Sequence, residues 1–257
     1  MISANTIYSL SPNDRKIMIL NEIRNIHTLQ GLQVDQAISN VINTFIKDYI
    51  NIKITNDNLN SNGSILTSNN LSIAIDREIS LFKPSAIQCL RSLLIPQNTL
   101  VASSKNIYEM AGASKLAFAN MVTRNISTTT GLFWEKLAAL SPYSINPERE
   151  FNLKIKGIDL ISMNCYTGVI EYQQLKTQHN TLTGSQVPRT IEELQIHINP
   201  IFCASFTNNS SWTFNHHTIP KVSGADFWNR IGIDYVILRQ KALELIRDLE
   251  YEFTLLI

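Results

Sequence analysis

Apolar positions recur at helical spacing through the first fifty residues and switch to alternation after residue 150. Ser11-Pro12-Asn13-Asp14 opens a helix, with proline in its first turn and an acid behind it. Ile17, Leu20, Ile23 and Ile26 then fall on one face, and Gly31 ends the segment. A second helix is predicted from Val34 to Ile50 through Ala37, Ile38, Val41, Phe45 and Ile46, so the two form a helical hairpin. Asn56 to Asn70, rich in Asn and Ser, reads as a loop and a candidate boundary. Leu71 to Ile95 reads as one or two helices broken at Pro84 and stopped by Pro96. Ser127-Thr128-Thr129-Thr130-Gly131 precedes a helix that runs through Leu140 and buries Trp134, Leu137 and Leu140. Pro142 and Pro147 end it, and a strand is entered by Phe151.

Two consecutive antiparallel strands follow. Ile155 to Met163 is apolar and β-prone apart from Asp159, Asn164 to Gly168 has turn composition, and Thr167 to Lys176 is β-prone again. Side chains alternate along a strand, so Gln174 and Lys176 point the same way, whereas Glu171 faces away unless a bulge intervenes. A register that sets Asp159 beside them brings an acid, an amide oxygen and an ammonium together, a grouping able to hold a hard divalent cation and a water next to a phosphate. Thr190-Ile191-Glu192-Glu193 is a capping box, which predicts a helix to about His197. Pro200 to Phe206 reads as an apolar strand central in the sheet, and Asn208 to His217 as a polar, aromatic-bearing loop. Asp226-Phe227-Trp228 starts a short helix, and Ile233 to Phe253 is a long amphipathic one.

The chain of 257 residues has 44% hydrophobic content, enough for one large core or a core with a helical extension over residues 1–70. A net charge of +1 excludes a strongly basic coat, so any nucleic-acid contact is local. Cys89, Cys165 and Cys203 are far apart without metal-ligand spacing and read as reduced thiols. His27 and the adjacent His216 and His217 read as ordinary histidines rather than ligands. Neither a signal peptide nor a membrane-length apolar run is visible, so a cytoplasmic protein without membrane contact is expected. Walker, dinucleotide and Gly-x-Ser-x-Gly motifs do not occur.

The order of Asp159 on one strand and Gln174-Leu175-Lys176 on the next resembles the catalytic core of the PD-(D/E)XK nucleases, and within them the type II restriction endonucleases. Two departures stand out: Gln174 occupies the place usual for Glu or Asp, and Ile158 the place of the usual proline. The segment Thr130 to Glu135 is similar to the helix that carries a further glutamate in that family. The resemblance covers Ser127 to Phe206, a catalytic core within a single nuclease domain spanning 1–257. It implies an α/β fold with a central mixed β-sheet flanked by helices, a restriction-endonuclease-like core. It also implies Asp159, Gln174, Lys176 and Glu135 as catalytic residues, with Asp159, Gln174 and Glu135 holding Mg²⁺. In that role Asp159 binds the ion, Gln174 offers a neutral oxygen, and Lys176 orients and helps deprotonate the attacking water.

Immediately after Lys176, Thr177 to Gln186 contains no acid and many amides and hydroxyls. Thr177, Gln178, Asn180, Thr181, Thr183, Ser185 and Gln186 are therefore candidate DNA contacts, with Arg189 beside them on phosphate. Lys83 to Lys136 is the one basic region, with Lys83, Arg91, Lys105, Lys115, Arg124 and Lys136 against Glu109 and Glu135. It suits either a phosphate-facing surface, adding Arg124 and Thr129 to the candidates, or a solvated helix face. The expectation is a Mg²⁺-dependent, sequence-specific endonuclease on double-stranded DNA, acting as a homodimer because palindromic sites mirror a two-fold axis. A repair or junction-resolving nuclease of the same superfamily, and a noncatalytic DNA-binding protein with a degenerate site, are the alternatives.

Overall fold

The structure is a computed structural model and describes residues 2–57, 66–93, 107–208 and 210–255. In chain order its helices are α1 (Ala4–Tyr8), α2 (Pro12–Asn21), α3 (Leu32–Asn43), α4 (Ile46–Asn56), α5 (Asn69–Leu93), α6 (Ile107–Met110), α7 (Ser114–Leu140), α8 (Pro147–Phe151), α9 (Val187–Gln195), α10 (Ala225–Trp228) and α11 (Tyr235–Thr254). The strands are β1 (Ser144–Ile145), β2 (Leu160–Met163), β3 (Ile170–Lys176), β4 (Pro200–Ala204) and β5 (Lys221–Ser223). They form one sheet in the order β1-β2-β3-β4-β5. β2 runs antiparallel to both β1 and β3, and β3, β4 and β5 run parallel to one another. The chain is thus α/β with a mixed sheet. Residues Met1–Ala74 and Trp134–Val236 form one compact unit, and Ile75–Phe133 with Ile237–Ile257 a second.

In the first unit the N-terminal helices pack on the sheet. Ser11 accepts the Asp14 N–H at the start of α2, and Pro12 sits in the first turn, as its pattern predicts. That helix is shorter than expected: it stops at Asn21, and Asn25 turns left-handed (φ 53°) before a short 3₁₀ turn. The second predicted helix is two, α3 and α4, because the chain leaves helical geometry at Phe45. The break seats Phe45 in the core, edge-on to Phe151 at 5.9 Å and near Tyr49 at 6.3 Å, which outweighs the lost helical hydrogen bonding. Arg15 pairs with Glu150 (2.8 Å), Tyr49 donates to the same carboxylate, and the Lys53 ammonium donates to Ser144 O at 2.7 Å. From β3, the Tyr172 hydroxyl donates to Asn43 Oδ1 at 2.7 Å, binding α3 to the sheet face that also carries Gln174 and Lys176.

The strand pair around the candidate site is a hairpin. Gly168 N–H donates to Asn164 O (2.7 Å), and Gly168 takes φ +69°, so the predicted turn is present. The strands themselves are shorter than expected. Residues 155–158 form a turn with Gly157 at φ +73°, which leaves Asp159 at the mouth of β2 rather than within it. β1, unpredicted, lies between the two prolines where a helix end was expected. Pro147 opens α8, capped by Asn146, instead of ending a helix.

The second unit is helical. α5 passes through Pro84 without the expected break: the proline is solvent-exposed, and burial of Ile75, Ala86 and Leu90 on one stripe offsets a cost of roughly 3 kcal/mol. Ser127 to Thr130 lie inside α7, not ahead of it, and Thr130 Oγ1 donates to Ile126 O at 2.7 Å, so these hydroxyls do not cap. Phe82 stacks on Phe133 (3.9 Å), while Lys83 and Arg91 pair with Asp248 (2.8 Å) and Glu252 (3.5 Å). Two cations of the basic region are therefore held by acids of α11 and do not stand as a bare phosphate-facing row. Lys105 and Pro96 lie outside the described residues. Among the described residues, no helix is long and apolar enough to cross a membrane.

Candidate functional site

Strand pairing decides the geometry. Leu160 is opposite Gln173, so Asp159, one residue earlier, stands opposite Gln174 and diagonal to Lys176 on one face. The Asp159 N–H donates to Gln173 O (2.9 Å), and its Oδ2 accepts the Leu175 N–H at 2.8 Å. Burial raises the Asp159 carboxyl above its ordinary range; the Lys176 charge and the Leu175 N–H pull it back, and Glu193 pushes it up again.

Glu135 projects from α7 toward the same point. Its proton affinity is lifted to about 7, first by burial, then by the negative charge of Asp159, with Lys176 and Arg149 opposing. Two carboxyls that disfavour each other's ionisation, beside one ammonium, make a place where further positive charge is stabilising. The structure thus brings Glu135, Asp159, Gln174 and Lys176 into one neighbourhood.

Gln174 is buried at 8% exposure, and its Oε1 has no hydrogen-bond partner. An unmatched buried amide oxygen ordinarily costs about 1–3 kcal/mol, so it calls for an acceptor's partner such as a cation. As a test of fit for Mg²⁺, the donors Asp159, Gln174 and Glu135 are all hard oxygens. Among the described residues, no three His, Cys, Asp or Glu side chains converge closely enough to form a metal-holding group by themselves. A ligand set that includes an amide oxygen is compatible with that finding.

Gln174 and Lys176 open onto a cleft of about 360 Å³, whose other walls include Thr181, Gln186, Arg189, Thr190 and Glu193. Thr181, Gln186 and Arg189 of the candidate DNA contacts thus share the cleft with the candidate chemistry. Gln178, Asn180, Thr183 and Ser185 are exposed on the same loop, and Thr177 is half-buried at its root. The capping box sits earlier than expected: Thr183 and Gln186 cap a 3₁₀ turn at Gly184–Gln186, and α9 begins at Val187 with Pro188 in its first turn. Arg124 and Thr129 belong to the second unit. Arg124 is exposed there, and Thr129 lines a small apolar cavity of about 20 Å³ with Phe82 and Leu90.

Glu193 is the residue that the capping-box reading hid. With α9 starting at Val187, Thr190, Glu193 and Leu194 form its buried face. Glu193 Oε1 accepts from Arg189 Nε at 2.7 Å, and the same carboxylate borders the cleft and bears on Asp159. A Cβ at Gly157 would lie 2.6 Å from Glu193 Cβ, so only glycine lets α9 approach this closely. The signal available in the sequence was Pro188, which marks a helix start and places Glu193 on the inner face.

Glu171 is turned away, as alternation requires. On the opposite sheet face it pairs with Arg230 (2.9 Å) and accepts from Asn164 (3.2 Å) and Gln173 (3.0 Å). It is a structural ion-pair partner, removed from Gln174 and Lys176.

No known protein family, no curated protein and no solved structure matches this chain.

Proposed function

We propose that this protein is a Mg²⁺-dependent, sequence-specific double-strand DNA endonuclease, with residues 127–206 acting as a restriction-endonuclease-like core. The observation that carries the reading is the buried, partnerless Gln174 Oε1, opposite Asp159 and on the strand face of Lys176, at the wall of an open cleft.

Bound Mg²⁺ supplies positive charge beside the phosphate and a water of lowered pKa. The chain's own residues do the rest. Asp159 and Gln174 offer oxygens from adjacent strands, and Glu135 offers a third whose ionisation is favoured once a cation offsets Asp159. Glu193 adds negative charge at the cleft wall. Lys176 donates to a non-bridging phosphate oxygen and orients the attacking water. The water oxygen forms a new bond to phosphorus and gives up a proton to solvent, one ester P–O bond breaks, and the departing oxygen takes a proton from solvent. Two copies on a palindromic site would cut both strands.

The test is incubation with a long duplex and Mg²⁺, followed by sequencing of the ends, for the natural protein, Lys176→Ala and Asp159→Asn. Ends at one sequence are expected for the natural protein, and none for either variant, while both variants keep duplex binding. Near-natural cutting by a variant refutes the assignment. Cutting restricted to branched substrates identifies a junction or repair enzyme instead.

A further inference from the structure

Three parallel strands end on one edge of the sheet, and the loops leaving β3 and β4 both start there: Lys176 is opposite Ala204, and the next residues leave together. Carboxyl ends of parallel strands are where open α/β sheets bind ligands. The loop after β3 carries the candidate DNA contacts, and the loop after β4 is polar and aromatic-bearing. The structure laces the two. Asn208 Nδ2 donates to Gln178 Oε1 (3.2 Å), Thr213 N–H donates to His179 O (3.3 Å), and the Trp212 ring stacks on His179 at 4.1 Å. The Lys221 ammonium lies 5.8 Å from the Trp212 ring centroid.

The chemistry of this joint surface is one-sided. From Thr177 to Ile191 and from Leu194 to Ala225, on either side of Glu192 and Glu193, the sequence contains no Asp or Glu, while it carries Arg189 and Lys221 among many amides and hydroxyls. The two loops thus bring no carboxylate of their own to an anionic partner and present donors and acceptors at the rim of the cleft, where Glu193 is the one acid. The Asn208 bond also orients Gln178: with its Oε1 taken, the Gln178 amide presents Nε2–H₂ to solvent.

We propose that the loop after β4, residues 205–208 and 210–220 with Lys221, is the second half of a duplex-DNA-reading surface, in which Asn208 is a positioning residue for Gln178 and Lys221 is a phosphate contact. This rests on the nuclease reading of the neighbouring cleft for its choice of duplex DNA.

The experiment measures binding of the full chain to a randomised duplex pool without divalent cation, across salt concentrations, for Lys221→Ala, Asn208→Ala and Asn208→Asp, with thermal melts to show folding. Lys221→Ala is expected to weaken all duplexes about equally and to reduce the salt slope by about 1. Asn208→Ala is expected to relax preference at one base pair by roughly tenfold. Asn208→Asp, which can only accept, turns the Gln178 amide round and shifts that preference toward bases offering a donor. The inference is overturned if folded Lys221→Ala and both Asn208 variants match the natural protein in affinity, salt slope and preference. Sequence-specific cutting that all three leave unchanged sinks this inference but keeps the nuclease. Binding that responds as expected in a protein that never cuts sinks the nuclease but keeps the surface.

Discussion

Replacing Glu135 by glutamine removes a charge that the fold holds at a disadvantage. In the folded chain its carboxyl moves from an ordinary 4.5 to about 7, because it is buried and faces Asp159. At ~1.4 kcal/mol per pH unit the difference amounts to roughly 3 kcal/mol of ionisation free energy, reduced to about 1–2 kcal/mol in practice by relaxation and by the group's partial exposure. The folded pKa is raised, so the folded state binds this proton more tightly than the unfolded chain does. The associated stability is fully present below 4.5 and is lost as pH rises through about 7. Glu135→Gln should therefore match the natural protein at about pH 4.5 and exceed it by about 1–2 kcal/mol at about pH 8.5, measured by urea unfolding without divalent cations. On the proposed function, in which Mg²⁺ binds the ionised site, the ion should narrow the gap by stabilising the natural protein more. An equal effect of the substitution at both pH values would refute the assigned cause, and a gap that Mg²⁺ leaves unaltered would remove Glu135 from the ligand set.

Three further outcomes are expected. Gln174→Glu keeps an oxygen at the same point and adds a charge, so half-maximal cleavage should need less Mg²⁺, whereas Gln174→Ala should lose most activity; a Mg²⁺ titration in which Gln174→Glu needs more ion excludes position 174 as a ligand. Gly157→Ala places a methyl against Glu193 at a positive φ and should lower unfolding free energy by about 1–3 kcal/mol; an unchanged denaturation midpoint would show that α9 yields freely. His197, buried against the Tyr172 ring at 5.0 Å with neither ring nitrogen partnered, has its pKa drawn down to about 4 by burial. Its stability contribution is full above 6.5 and is lost as pH falls toward about 4, so His197→Phe should be the less acid-sensitive protein across that window in pH-dependent unfolding; parallel curves for both would contradict it.

Local chemistry made part of this protein legible. Ser11-Pro12, the Asn164–Gly168 turn and the alternation over Glu171 to Lys176 each depend on neighbours a few residues away, so the start of α2, the hairpin and the opposed faces of Glu171 and Gln174 could be read from the chain alone. Burial overrode local rules elsewhere. Phe45 breaks a regular helical pattern because it inserts between aromatic rings, and α5 continues through Pro84 because its apolar stripe continues. The site divides in the same way. That Gln174 and Lys176 share a face follows from the period of a strand, but that Asp159 stands opposite Gln174 follows from the register of β2 on β3, a pairing across a turn that composition does not specify. Glu193 came to the cleft only through the close packing of α9 over Gly157, a contact between residues 36 positions apart. The loops after β3 and β4 became one surface only because those strands are parallel neighbours. Periodicity is a property of the chain, whereas register, parallel pairing and helix approach depend on surfaces distant in sequence, and those decided which side chains meet.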